Sequence, residues 1–164
     1  AAVICSESFA KRNGITHGVK ILAQTMATDT QTSWQNPIAS VGSDMTKRAA
    51  SKAYDIAGVG PDDIDVVELH DCFTPNEIIN YEALGLCPEG AAIELVEKND
   101  NTYGGKFVIG PSGGLMSKGH PIGATGTMLI GTMLDELERR DLQRGLITMC
   151  TGGGMAPAII IERV

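Results

Sequence analysis

Apolar positions along the chain fall into two patterns: short continuous runs suited to buried strands, and stretches with helical spacing. Residues 1–5 (AAVIC), 19–26, 65–69, 146–149 and 158–161 are apolar or β-rich runs and are expected as strands. Residues 7–13, closed by Gly14, read as a short helix or turn. Ser43 is a plausible N-cap for a helix reaching Ala57, because Met45, Ala49, Ala50, Ala53, Ile56 and Ala57 share one face; Gly58 supplies its left-handed C-cap. Thr74-Pro75-Asn76-Glu77 has the form of a capping box with proline at the first helical position, opening a helix that carries Ile78, Ile79 and Leu84 and stops at Gly85. A long helix is expected over about 124–140, apolar on most sides until Glu136, and so belonging inside a layered domain. Residues 27–38 and 88–110 lack any period and are expected as irregular loops. Strands alternating with helices predict an α/β fold with a mixed sheet.

Composition narrows the class. A chain of 164 residues supports one domain of ordinary size and buries roughly two-thirds of its unfolded surface without metal or disulfide staples. Only seven residues are aromatic, so the core is expected to be aliphatic and Ala-rich, while 20 glycines point to tight turns and close backbone approaches. A net charge of −7 with no basic cluster excludes nucleic acid as a partner. No apolar run is long enough for a membrane span. Residues 1–5 carry neither an initiator Met nor a basic flank, and read as a chain entered in the middle of a strand. Cys5, Cys72, Cys87 and Cys150 form no C-x-x-C pair, which fits a reduced, intracellular chain whose special cysteines are chemical.

Three loops carry candidate chemistry. His70-Asp71-Cys72-Phe73 lies between a strand and a capped helix, where an imidazole shuttles protons near neutral pH and a helix N-terminus favours the Cys72 thiolate. A buried Cys and a satisfied His at a strand end is the plainer account of that loop. Gly119-His120-Pro121 sits among five glycines from Gly113 to Gly126, so His120 is presented on rigid, closely approached backbone; a mere turn needs the Gly and Pro but not the His. Cys150-Thr151-Gly152-Gly153-Gly154 follows a strand, and its successive glycines uncover backbone N–H groups of the kind that form an oxyanion hole, although glycine runs are also plain turns. Other motifs fail on spacing. There is no G-x-G-x-x-G, no phosphate loop around Lys118, no G-x-S-x-G elbow, and no short ligand pair for zinc, so no metal is expected.

Taken together, and in this order, the three loops resemble those of a thiolase. The phrases Gly119-His-Pro-Ile-Gly-Ala-Thr-Gly126 and Cys150-Thr-Gly-Gly-Gly-Met-Ala-Pro-Ala carry the resemblance. The H-D-C-F loop, with Asn76-Glu77, residues 81–88 (YEALGLCP) and residues 100–105 (DNTYGG), is similar to the sterol-carrier-protein type of thiolase. The resemblance covers almost the whole chain. It implies a layered αβαβα architecture of two similar halves, this chain matching the C-terminal half with its mixed five-stranded sheet. Residues 1–17 would be the end of the N-terminal half and residues 18–164 the C-terminal domain. The family nucleophile is a Cys in a C-x-S loop of the N-terminal half; nothing here matches it, since Cys5-Ser6-Glu7-Ser8 is C-x-x-S and misplaced.

The resemblance also implies roles. The reaction is acyl exchange between acyl-CoA thioesters, with coenzyme A as substrate and no tightly bound cofactor. His120 would take the nucleophile's proton and help bind the thioester oxyanion. His70, where many thiolases have Asn, would hold the same oxyanion, and the Gly152 amide would serve the second oxyanion hole. The α-proton carrier is Cys150 by its intact C-x-G loop, or Cys72 as in relatives of the sterol-carrier type. Expected partners are acyl-CoA substrates, the nucleophile-bearing half or chain, a second copy in a dimer or tetramer, and, for some relatives, a small zinc and OB-fold protein. Two alternatives stay open: a thiolase-fold aldolase acting on β-hydroxyacyl-CoA side chains, and a non-catalytic CoA-binding or scaffold chain. The ending Glu162-Arg163-Val164 is not a peroxisomal address, and a cytoplasmic location is expected.

Overall fold

The computed structural model describes residues 2–150 and 154–164. Its first helix, α1 (Glu7–Arg12), is capped by the Ser6 hydroxyl accepting from the Phe9 amide. Among the described residues before it, 2–5 form no strand and Val3 and Ile4 are 98% and 79% exposed; an apolar run becomes a strand only when it pairs in a ladder, and these residues pair with none. The chain continues as β1 (Val19–Thr28), then a 3-10 turn (Gln31–Trp34) and α2 (Pro37–Ser40) where an irregular loop was expected. Asn36 explains α2: its side chain accepts from the Ala39 amide while Pro37 fixes the first helical φ.

The next helix, α3 (Ser43–Ala57), has the expected span, but Gly42 and not Ser43 is its N-cap; the Ser43 hydroxyl donates to the Ile38 carbonyl. Gly58 closes it in the left-handed region at φ +69°. After β2 (Val66–Glu68) comes α4 (Thr74–Ala83). Its N-cap is Phe73, so no capping box forms, and the Glu77 carboxylate instead accepts from the Tyr81 hydroxyl at 2.5 Å. The supposed loop of residues 88–110 contains α5 (Ala92–Glu97) and the edge strand β3 (Val108–Ile109). A five-residue helix, α6 (Gly114–Lys118), precedes α7 (Thr125–Arg140), and the chain ends in β4 (Arg144–Thr148) and β5 (Met155–Arg163).

The five strands form one mixed sheet in the order β1-β5-β4-β2-β3, antiparallel at β1/β5 and β5/β4, parallel at β4/β2 and β2/β3. Helices cover both faces, which is why the central strands read as continuous apolar runs. Neighbouring residues point to opposite sides: Val67, Leu146 and Ile160 join one core with α3, α4 and α5, while Val66, Ile147 and Ile161 join the other with α7. On the first side the small Ala49, Ala50 and Ala53 bring α3 close enough for the Thr25 hydroxyl of β1 to donate to the Ala49 carbonyl at 2.7 Å. On the second, Leu129, Met133 and Leu137 recur at helical spacing and are fully buried, each contributing about 1.5–3 kcal/mol. Gly145 of β4 makes room for this helix, since a Cβ there would lie 2.2 Å from the Met133 sulfur. Among the described residues no helix is long and apolar enough to cross a membrane.

Candidate active site

Strands β2 and β4 are parallel neighbours with Glu68 opposite Ile147, so the loops leaving their carboxyl ends emerge side by side. In open α/β sheets that edge is where ligands bind. The loop after β2 delivers His70, which is 7% exposed. Its carbonyl accepts from the Asn76 side chain of α4 at 2.5 Å, and its Nδ1 accepts from the Cys150 amide, just beyond β4, at 3.0 Å. An Nδ1 that accepts is unprotonated, so Nε2 carries the ring proton of the neutral form. Burial holds the His70 pKa below the usual imidazole value, and the adjacent His120 adds to the effect.

His120 arrives from the other side, on the connection between α6 and α7. Gly119 stands at φ +89°, a conformation open to glycine, and Pro121 follows. The His120 Nδ1 pairs with the Thr125 hydroxyl at 2.7 Å in the first turn of α7, which fixes the ring and leaves proton chemistry to Nε2. The two imidazoles meet edge to face, with centroids 4.9 Å apart and planes at 64°. The structure thus brings His70, His120 and Cys150 together.

Cys72 lies in the same neighbourhood, close enough to Cys150 for the two sulfurs to interact electrostatically. Burial first, and Cys150 among the lesser causes, push the Cys72 thiol above its usual range, outweighing the backbone amides that favour the thiolate. Gly152 lies outside the described residues. A cavity of about 210 Å³ opens at this edge, walled by His70, Asn80, Cys150 and the apolar Val41, Met45 and Met155. Among the described residues, no three His, Cys, Asp or Glu side chains gather as metal ligands.

Sequence reasoning missed several supporting residues. Asn76 and Thr125 each grip a candidate histidine, and both lie within six positions of it, a spacing that was the available signal. Asp71 and Gly114 form a contact across 43 positions that no local pattern announces.

The family profile for "Thiolase C-terminal domain-like" matches residues 26–155. Sterol carrier protein 2 of Homo sapiens is 47% identical over 98% of this chain and 31% of its own length. A benzoylsuccinyl-CoA thiolase subunit of Thauera aromatica is 35% identical over 94% of this chain and 41% of its own. The solved acetyl-CoA acetyltransferase of Bacillus anthracis shares the fold, with a TM-score of 0.73 and 23% identity over 97% of this chain and 34% of that one. The chain therefore spans well under half the length of these relatives. On the profile match and these identities, the chain belongs to the thiolase C-terminal domain-like family.

Proposed function

We propose that this chain is the C-terminal half of a thiolase-type acyltransferase, exchanging acyl groups between CoA thioesters, with the nucleophilic cysteine supplied by a half outside these 164 residues. The observation that carries the reading is the edge-to-face pair of His70 and His120, 4.9 Å apart beside Cys150 at the carboxyl edge of the sheet.

In the first step the nucleophile's thiolate attacks an acyl-CoA carbonyl, His120 having accepted its proton through Nε2. The CoA thiolate leaves and an acyl-enzyme remains. In the second step Cys150, a thiolate once its thiol has protonated the departing CoA sulfur, removes an α-proton from a second acyl-CoA. The resulting carbanion attacks the acyl-enzyme carbonyl and expels the cysteine thiolate, giving a 3-oxoacyl-CoA; thiolysis runs the same steps in reverse. The developing thioester oxyanion needs N–H donors, and His70 Nε2–H is one such donor, because its Nδ1 accepts from the Cys150 amide. The Gly152 amide is assigned to the oxyanion of the acyl-enzyme. The apolar wall of Val41, Met45 and Met155 suits an acyl chain, and methionines adapt to its shape.

The test is CoA-dependent cleavage of acetoacetyl-CoA and longer 3-oxoacyl-CoA esters by the full-length protein, followed by chromatography of the products. Two acyl-CoA products support the reading. Release of an aldehyde or ketone from a β-hydroxyacyl-CoA without CoA consumption points to the aldolase alternative, and CoA-ester binding without turnover to the scaffold alternative.

A further inference from the structure

Two acidic residues flank His70 in sequence, Glu68 and Asp71, and the proposed acyl exchange does not use them. Glu68 ends β2 and is fully buried, and its carboxylate accepts from both the amide and the hydroxyl of Ser112, each at 3.2 Å. The Ser112 hydroxyl in turn accepts from the Gly114 amide at 3.2 Å. Three residues after Glu68, the carboxylate of Asp71, 8% exposed, accepts from the Leu115 amide at 2.6 Å and approaches the Met116 amide at 3.5 Å. Both amides belong to the first turn of α6, whose orphan N–H groups attract a carboxylate.

The fit is tight enough to dictate residue 114. A Cβ on Gly114 would stand 1.9 Å from one Asp71 carboxylate oxygen, and the φ of +68° there is itself a glycine conformation. Asp71 is covalently next to His70, and α6 runs directly into Gly119 and His120. The clamp therefore joins the two backbones that carry the two imidazoles, by a route separate from the ring contact itself.

We propose that Asp71 is a positioning residue: by holding the first amides of α6, its carboxylate sets the separation of the His70 and His120 imidazoles. The proposal deepens the acyl-transfer reading and rests on it for its kinetic consequences, while its geometric consequence stands alone. An amide in place of the carboxylate turns one acceptor into an NH2 group facing backbone N–H donors, so Asp71→Asn loosens α6 with little change of shape. Gly114→Ala disturbs the same contact from the other partner and leaves the charge intact.

The experiment measures thiolysis kinetics and crystal structures of the full-length D71N, G114A and double variants beside the unsubstituted protein. The expected result is a fall in kcat of about tenfold or more in each single variant, KM for the CoA ester within about twofold, and ring centroids separated beyond 4.9 Å. The double variant should fall no further than the worse single one, because both remove one contact. If the unsubstituted protein shows no acyl exchange, the proposed function fails and the ring separation alone decides the positioning role. Variants that fold with unchanged ring separation and kcat overturn it. Loss of native near-UV circular dichroism in both single variants assigns the clamp to folding and overturns it too; if only one folds, that one decides.

Discussion

The two histidines reach the same spot on very different supports. His70 stands at the end of a central strand, nearly buried, its carbonyl and its Nδ1 both held by hydrogen bonds from α4 and from the strand next door. His120 stands on an exposed glycine-rich connection, held by one hydroxyl. The difference teaches how a site divides its work. Burial and a backbone donor settle the protonation of His70, whereas the position of His120 depends on a few local contacts and its ring stays accessible. A neutral, fixed N–H suits oxyanion binding; an accessible Nε2 suits proton transfer.

The largest effects test that division directly. In the full-length protein His120→Ala is expected to lower kcat of thiolysis by about 10²–10⁴, the range for losing a general acid–base. His70→Ala should cost about 10²–10³, as for one oxyanion donor, while His70→Asn keeps an N–H and stays within about tenfold of the unsubstituted enzyme. Steady-state kinetics on one 3-oxoacyl-CoA decides the matter. A His70→Asn variant as damaged as His70→Ala would show that His70 moves protons, and the contrast between the two rings would disappear.

The two cysteines extend the contrast to sulfur. Cys150 follows β4 and its amide is bonded to His70; Cys72 follows β2 and has its thiol pushed up by burial. Cys150→Ala is expected to reduce thiolysis and α-proton exchange by about a hundredfold, and Cys72→Ala by less than tenfold. Exchange of deuterium into the α-carbon of acetyl-CoA, read by mass spectrometry, separates the proton step from acyl transfer. Full activity in the Cys150 variant with none in the Cys72 variant would exchange their roles.

Much of this region was legible because its signals are local. Apolar runs marked β1, β2, β4 and β5, and the helical period marked α3 and α7 almost to the residue. What failed was whatever a partner decides. Residues 1–5 have strand composition, but a ladder needs a neighbour. Thr74 and Glu77 have capping-box spacing, yet Tyr81 captures the Glu77 carboxylate. β3 is two residues long and exists because β2 lies beside it, so no periodicity could announce it. At Cys72 the backbone amides favour the thiolate as the dipole argument holds, while burial pushes the thiol the other way. His70 and His120 were expected to serve one oxyanion and they do meet, but the 4.9 Å contact itself is set by strand pairing and by the α6 connection, 50 residues apart in sequence.

A smaller effect is expected where the exposed ring is held. Thr125 is 1% exposed, and Thr125→Val preserves its shape while removing the hydroxyl bonded to His120 Nδ1. The expected outcome is a roughly tenfold lower kcat with KM near its original value, because orientation is lost and binding is not. The corresponding change beside His70, Asn76→Leu, should cost less, since the Cys150 amide still holds that ring. Equal losses would mean that the two supports are equally redundant.

The smallest effect separates the two environments by stability. The His70 pKa in the folded protein lies below its unfolded value of about 6.5, with burial the main cause. Below pH 6.5 the unfolded chain therefore binds more protons at this site than the folded one, and stability rises with pH there. The contribution is complete above about 6.5 and is lost as the pH falls through the folded value. One such site changes stability by at most about 1.4 kcal/mol per pH unit, and the competing attraction of Asp71 reduces that. Differential scanning calorimetry of the full-length protein and its His70→Asn variant between pH 7.5 and 5 should show the two Tm curves converging toward acid, the variant losing less. Parallel curves would mean that the His70 ring charges as readily when folded as when unfolded, so that burial does not hold it neutral as the pH falls below about 6.5.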